Sequence, residues 1–206
     1  MILTTDRLVL REFVESDWEA VLAYQSDPRY LRYYEWEKRT AEDVRAFVQM
    51  FIDYQNENPR NRFQLAVTLK SNGQLIGNCG VRRERADSVN ADLGYELAPD
   101  QWGHGYATEA ARTMLAFGFQ ELGAHRIWAH CIAENVASAR VLEKIGMKCE
   151  GRLRENEWFK GRSREITLRD NQAGERNLTR WWDTLLYGIL EQEWVSKGEA
   201  FLENVR

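Results

Sequence analysis

A chain of 206 residues with 44% hydrophobic and 12% aromatic content can bury one substantial core, so a single domain over 1–195 is expected, followed by a short polar tail at 196–206. A net charge of −4 argues against nucleic acid as the main partner. No apolar run reaches the roughly 20 residues of a membrane span and no signal-like segment follows Met1, so neither a membrane nor a secretory route is expected. Cys79, Cys131 and Cys149 are odd in number and lie in strand-like sequence; they read as reduced, buried thiols of a cytoplasmic protein.

In chain order, residues 7–13 alternate Leu8 and Leu10 with Arg7 and Arg11, as a strand does. Ser16-Asp-Trp-Glu19 has the form of a capping box, predicting a helix to about Ser26 that Pro28 closes. Thr40-Ala-Glu-Asp43 caps a second helix, with Val44, Phe47, Val48 and Phe51 on one face. Phe63, Leu65, Val67 and Leu69 alternate into Ser71-Asn72-Gly73, which predicts a type I′ turn and a hairpin returning through 74–81. A strand at 91–97 leads to Trp102-Gly-His-Gly-Tyr-Ala-Thr-Glu-Ala110 and a helix to about Leu122. Residues 126–132 form another strand, Asn135 caps a helix that Gly146 ends, and strands near 148–160 and 181–190 complete the sheet. This alternation predicts an α/β (α+β) fold: a mixed, mostly antiparallel sheet with helices on both faces.

Two segments carry chemistry. Gly103-x-Gly105 opening a helix exposes backbone N–H groups at the positive end of a helix dipole, a site for phosphate. No Lys follows the glycines, so the loop is not of the Walker type, and Thr108 stands where a dinucleotide fingerprint has its third glycine. About thirty residues on comes Asn135-x-x-Ser138-x-x-x-Leu142-Glu143-Lys144-x-Gly146-Met147. Together, in this order and at this separation, the two segments resemble the GNAT superfamily of N-acyltransferases. The opening Leu3-Thr-Thr-Asp-Arg-Leu-Val-Leu-Arg11 and the late Asp183-Thr-Leu-Leu-Tyr187…Glu193-Trp194 are similar to the branch named for the ribosomal-protein-alanine acetyltransferases RimJ and RimL.

The resemblance implies transfer of acetyl from acetyl-CoA to a primary amine, a protein N-terminus or a small molecule, by direct attack on the thioester and without a metal. In that reading Trp102, Gly103, His104, Gly105, Tyr106, Ala107 and Thr108 hold the donor's pyrophosphate, with Trp102 packing rather than bonding phosphate. The pantetheine arm lies along 91–97, bringing the thioester near Leu97 and Ala98, where a backbone N–H serves as oxyanion donor. Glu96 is the carboxylate sited to take the amine proton, and Asn135 bonds the arm while capping its helix. Many relatives carry a tyrosine acid immediately before Glu143-Lys144; here that residue is Leu142, so Ser138 is the hydroxyl expected to meet the departing thiolate. Tyr33, Tyr34, Glu35 and Trp36, aromatic-dense with one acid, suit an amine acceptor.

A second class of function is an acyl-CoA-binding module without turnover, for which Leu142 and an inserted segment at about 163–180 are the arguments. That segment reads as a solvated loop or as an arm lengthening the last hairpin; an arm gains order by packing on a neighbour, which makes a homodimer one expectation.

Overall fold

Short amphipathic runs that each bury one face dictate a layered arrangement, and the computed structural model, which describes residues 1–159 and 180–195, has one. Among the described residues eight strands form a single sheet: β1 (Ile2–Thr4), β2 (Leu8–Arg11), β3 (Arg62–Leu69), β4 (Leu75–Arg82), β5 (Asn90–Leu97), β6 (Arg126–Ile132), β7 (Lys148–Phe159) and β8 (Arg180–Leu190). Their order across the sheet is β1-β2-β3-β4-β5-β6-β8-β7. Only β5 and β6 run parallel, as the crossover through a helix between them requires; every other neighbour pair is antiparallel.

Helices cover both faces. α4 (Tyr106–Gln120) and α5 (Val136–Lys144) cover one, over a core that includes Leu65, Val67, Val81, Leu93, Leu97, Met114, Leu115, Ile127 and Leu142. α1 (Trp18–Gln25), α2 (Pro28–Leu31) and α3 (Ala41–Gln55) cover the other, where Phe13, Val21, Tyr30, Val44, Val48 and Phe51 pack on Ala66 and Leu75. Each fully buried Leu, Val, Met or Phe contributes about 1.5–3 kcal/mol, so these two layers hold the sheet that carries the site. Among the described residues no helix is long and apolar enough to cross a membrane.

Several local expectations change. The strand expected at 7–13 forms as the shorter β2, and a further strand, β1, precedes it across a turn at 5–7. Ser16 does not cap α1; a 3-10 turn precedes the helix, and Asp17 closes it by accepting from Val14 N at 2.9 Å and from both Arg11 NH groups at 2.8 Å. Pro28 opens α2 instead of ending α1, since its missing N–H costs nothing at a first helical position and Asp27 caps there, accepting from Arg29 N at 2.8 Å. The Thr40 box forms as read, Asp43 N donating to Thr40 Oγ1 at 3.2 Å and Thr40 N to Asp43 Oδ2 at 2.9 Å. The β3–β4 turn is not type I′: only Gly73 has positive φ (72°), and Asn72 Oδ1 instead accepts from Gln74 N at 3.0 Å. Cys79 and Cys131 are buried free thiols, but Cys149, on the last strand of the sheet, is exposed. Val136, at the start of α5, is 52% exposed. The 163–180 insertion and the 196–206 tail lie outside the described residues, except Arg180 at the start of β8.

Candidate active site

β5 and β6 pair over only three residues each, Asn90–Asp92 against Arg126–Trp128, and then part. β5 continues to Leu97 against β4 on its other side, and β6 to Ile132 against β8, so a wedge opens between strands that keep their other partners. Ala98 N donates to Ile76 O at 2.8 Å, which occupies the amide expected to be one choice of oxyanion donor. Antiparallel hydrogen bonds alternate, so the amides of Tyr95 and Leu97 face away from β4, into the wedge. Leu97 O also points that way and accepts from Trp102 Nε1 at 2.9 Å. Gly77 lets β4 come this close: a Cβ there would lie 2.1 Å from Glu96 O and 2.8 Å from Leu97 Cα.

At the C-terminal end of β5 the chain turns through the glycine loop. Gly103 and Gly105 have φ of 81° and 83°, the left-handed region that glycine enters at little cost. Gly105 is the N-cap of α4, with no side chain capping it, and the first helical bond runs from Glu109 N to Gly105 O at 3.1 Å. The amides of Tyr106, Ala107 and Thr108 therefore precede the helical ladder. His104 and Trp102 are exposed, Trp102 by 43%, and the Trp102 indole is fastened to β5 through its Nε1. Arg7, from the β1–β2 turn, braces the loop by donating to His104 O at 2.9 Å and lying over the Tyr106 ring at 4.6 Å. It also holds Glu109 through Nε at 2.7 Å and its backbone N at 3.0 Å, while Thr5 Oγ1 donates to the same carboxylate at 2.5 Å. Burial works against the Glu109 charge, but these donors outweigh it and hold the carboxyl below the usual range.

On the α4/α5 face of the wedge, Asn135 Oδ1 accepts from Ser138 N at 3.1 Å, fixing the first turn of α5. Ser138 Oγ lies 2.9 Å from the Tyr95 hydroxyl, which also reaches Ser138 O at 3.0 Å. Leu142, one turn further along α5, is 1% exposed and belongs to the core.

Glu96, the next residue of β5, points to the opposite face. Its Oε1 accepts from Tyr24 OH at 2.6 Å, Gln25 Nε2 at 2.9 Å and Asn78 Nδ2 at 2.7 Å; its Oε2 accepts from Tyr30 OH at 2.5 Å and Tyr34 OH at 3.5 Å. Three donors already exceed the two lone pairs of Oε1, so Oε2, on the side of the long Tyr34 contact, is the oxygen open to a further proton. Burial first, and then the Glu96 charge, push the Tyr24, Tyr30 and Tyr34 phenols well above their ordinary range, keeping them donors. Tyr34 stacks between Tyr30 at 4.4 Å and Trp36 at 5.1 Å. Tyr33 reaches across the wedge, donating to Glu134 O at 3.5 Å and meeting Trp182 edge-on at 6.4 Å, while Glu35 is exposed beside it. The expected pair, Ser138 and Glu96, thus flanks the wedge from opposite faces of one strand.

A phosphate-suited loop, an opening between parallel strands, and polar groups on both its lips are features of one known fold family. Residues 7–148 match the model of the Acetyltransferase (GNAT) domain. The chain belongs to the GNAT family. It is an N-acetyltransferase, and it is 36% identical over 195 residues, 94% of this chain and 99% of the relative, to the uncharacterized N-acetyltransferase YnaD of Bacillus subtilis (strain 168). Among solved structures it is similar to a GNAT-family acetyltransferase of Bacillus anthracis, with a TM-score of 0.70 and 32% identity over 93% of this chain and 99% of that one. The fold also matches a ribosomal-protein-S5-alanine acetyltransferase of Vibrio fischeri, at TM-score 0.72 and 20% identity over 94% of this chain and 98% of that one.

Several residues of this GNAT site escaped sequence reasoning. Tyr24 and Gln25 lie in α1, Tyr30 in α2, a helix not expected from the sequence, and Asn78 in β4, and nothing local to any of them marks a polar role. Only their common contact, Glu96, reveals them. Tyr95 was legible as an inward residue of β5 but not as the neighbour of Ser138, because 43 positions separate them.

Proposed function

We propose that this GNAT enzyme moves the acetyl group of acetyl-CoA to a primary amine, of a protein N-terminus or a small molecule, by direct attack within the wedge between β5 and β6. The observation that carries the reading is the parting of these strands beyond Asp92 and Trp128, with the glycine loop at one end and hydroxyl and carboxylate groups on opposite lips. The pantetheine extends β5 on its open side through the outward amides, and the amides of 103–108 take the pyrophosphate. The Leu97 amide, facing the wedge, is the oxyanion donor.

The acceptor approaches from the side of Tyr33, Tyr34, Glu35 and Trp36. Its nitrogen bonds to the carbonyl carbon, and its proton passes to Glu96 Oε2, through the Tyr34 hydroxyl or directly. The C–S bond then breaks with its electron pair on sulfur. Ser138 donates a hydrogen bond to the thiolate, whose parent thiol has a pKa of about 8.5 and needs no strong acid to leave. The three free cysteines suit a reducing, cytoplasmic compartment. An α-amine acceptor at a protein N-terminus follows the RimJ/RimL resemblance.

The test is release of free CoA thiol from acetyl-CoA in the presence of a panel of N-terminal peptides, amino acids, polyamines and aryl amines, with the acetylated product weighed by mass spectrometry. Thiol release matched by an acetylated amine is expected. Tight acetyl-CoA binding with no product across the panel would instead favour a binding module.

Arg7 gives a second expectation. Replacing it by Ala removes the cation paired with the Glu109 carboxylate beside the loop, leaving it the Thr5 hydroxyl and the backbone N of residue 7, and frees His104 O. The KM for acetyl-CoA should rise about 5–30-fold, the equivalent of roughly 1–2 kcal/mol, with kcat within about twofold. Steady-state kinetics at saturating amine measure this, and raised salt should narrow the difference between variant and wild type.

A further inference from the structure

Ser138 alone is a weak device for a departing thiolate. Its single proton can turn toward more than one acceptor, Tyr95 OH at 2.9 Å among them. In relatives with a tyrosine before Glu143-Lys144 a phenol stands on this helix; here Leu142 fills that place inside the core. A phenol is nevertheless present at Ser138, delivered from the adjacent strand. The Tyr95 hydroxyl lies 2.9 Å from Ser138 Oγ and 3.0 Å from Ser138 O, and its ring packs against the buried core.

We propose that Tyr95 is a positioning residue for Ser138, its hydroxyl donating to Ser138 Oγ so that the serine proton is aimed at the leaving sulfur. The inference rests on Ser138 being the donor to the thiolate. At rest the phenol can donate to Ser138 O and accept from Oγ–H. When the C–S bond breaks, the Oγ–H turns to the sulfur and the phenol O–H turns to Oγ, giving a chain from Tyr95 through Ser138 to S⁻. No proton crosses either bond. Both hydroxyls are weaker acids than the CoA thiol, so the negative charge stays on sulfur, and the two hydrogen bonds polarise each other around it. Asn135 completes the arrangement by fixing the backbone N of the same residue at 3.1 Å, so Ser138 is held from both sides.

The experiment is a double-mutant cycle on the full chain, with acetyl-CoA and the best amine of the panel. Tyr95→Phe keeps the ring and removes the hydroxyl, so the melting temperature should stay within a few degrees of wild type. Ser138→Ala should lower kcat about 10–100-fold and Tyr95→Phe about 5–20-fold, as hydrogen bonds to a developing charge are lost, with the KM for acetyl-CoA within about twofold in each. The double variant should be no slower than Ser138→Ala alone, because the phenol acts only through the serine.

A Tyr95→Phe variant with wild-type kcat, beside a slow Ser138→Ala, overturns the role of Tyr95 and leaves that of Ser138 standing. Losses that multiply in the double variant overturn it too, as does a rise in KM without a fall in kcat. Wild-type turnover in Ser138→Ala removes the reading on which the inference depends. If Tyr95→Phe melts early, Ser138→Gly and its combination with Tyr95→Phe, assayed below the melting range, give the same comparison.

Discussion

In a Gly105→Val variant acetyl-CoA binding falls by about two orders of magnitude or more while the protein stays folded. Gly105 has φ of 83°, and a β-branched residue held there is strained by about 1–3 kcal/mol. Space is not the obstacle, since a Cβ would meet only an Arg7 NH2 at 3.5 Å, an ordinary contact. The backbone must instead turn toward φ below zero, which rotates the amides that precede the Glu109 to Gly105 bond away from one another. Losing two charge-assisted hydrogen bonds to phosphate, each worth about 1.5–3 kcal/mol, accounts for about 10²–10⁴ in affinity. The same strain lowers the melting temperature by only about 2–4 °C per kcal/mol in a chain of this size. Calorimetric titration reads the affinity and thermal melting the control. Wild-type affinity in a folded variant places the phosphate site elsewhere.

Glu96→Gln lowers kcat by about 10²-fold or more, the range that a general base contributes, with the deepest loss on the acid side of the pH profile where the amine arrives protonated. The substitution also sets an amide NH2 against hydroxyl and amide donors. Turning the NH2 toward Oε1 opposes Tyr24, Gln25 and Asn78; turning it toward Oε2 opposes Tyr30 and Tyr34. Some destabilisation, about 1–3 kcal/mol for each donor left without an acceptor, therefore accompanies the lost base. The two effects separate by measuring rate against pH well below the melting temperature: a lost base changes the shape of the profile, whereas partial unfolding lowers it uniformly. Tyr34→Phe provides the finer comparison, slowing turnover while leaving the four shorter bonds to Glu96 in place. A loss below threefold at every pH in Glu96→Gln removes the carboxylate from the proton path.

The glycine loop and the Asn135 helix were legible because their signals are local. A left-handed glycine before a helix and an Asn cap closed by Gly146 each span a few residues, and both form as read. The sheet was legible from alternation and crossover length, but the wedge was not: the divergence of β5 from β6 leaves no mark in either strand's pattern. Long-range polar contacts were equally hidden. Tyr24 and Tyr30 are buried aromatic residues whether or not their hydroxyls meet a carboxylate some seventy residues away. Arg7 appeared only as an alternating strand residue, although it pins Glu109 and His104 across about a hundred positions. Local misreadings had local causes, as at Pro28, where one residue serves equally to end a helix or to begin one.

Hydrogen–deuterium exchange with and without acetyl-CoA tests most directly the claim that the donor substrate occupies the wedge and the glycine loop. The outward amides of Tyr95 and Leu97 and those of Gly103 to Thr108 have no strand or helix partner in the free protein, so they should exchange fast and become protected when acetyl-CoA binds. Protection confined to these two segments and the first turn of α5 is the expected result. Tight binding that leaves peptides 93–98 and 103–108 unchanged, with protection elsewhere, would contradict the account.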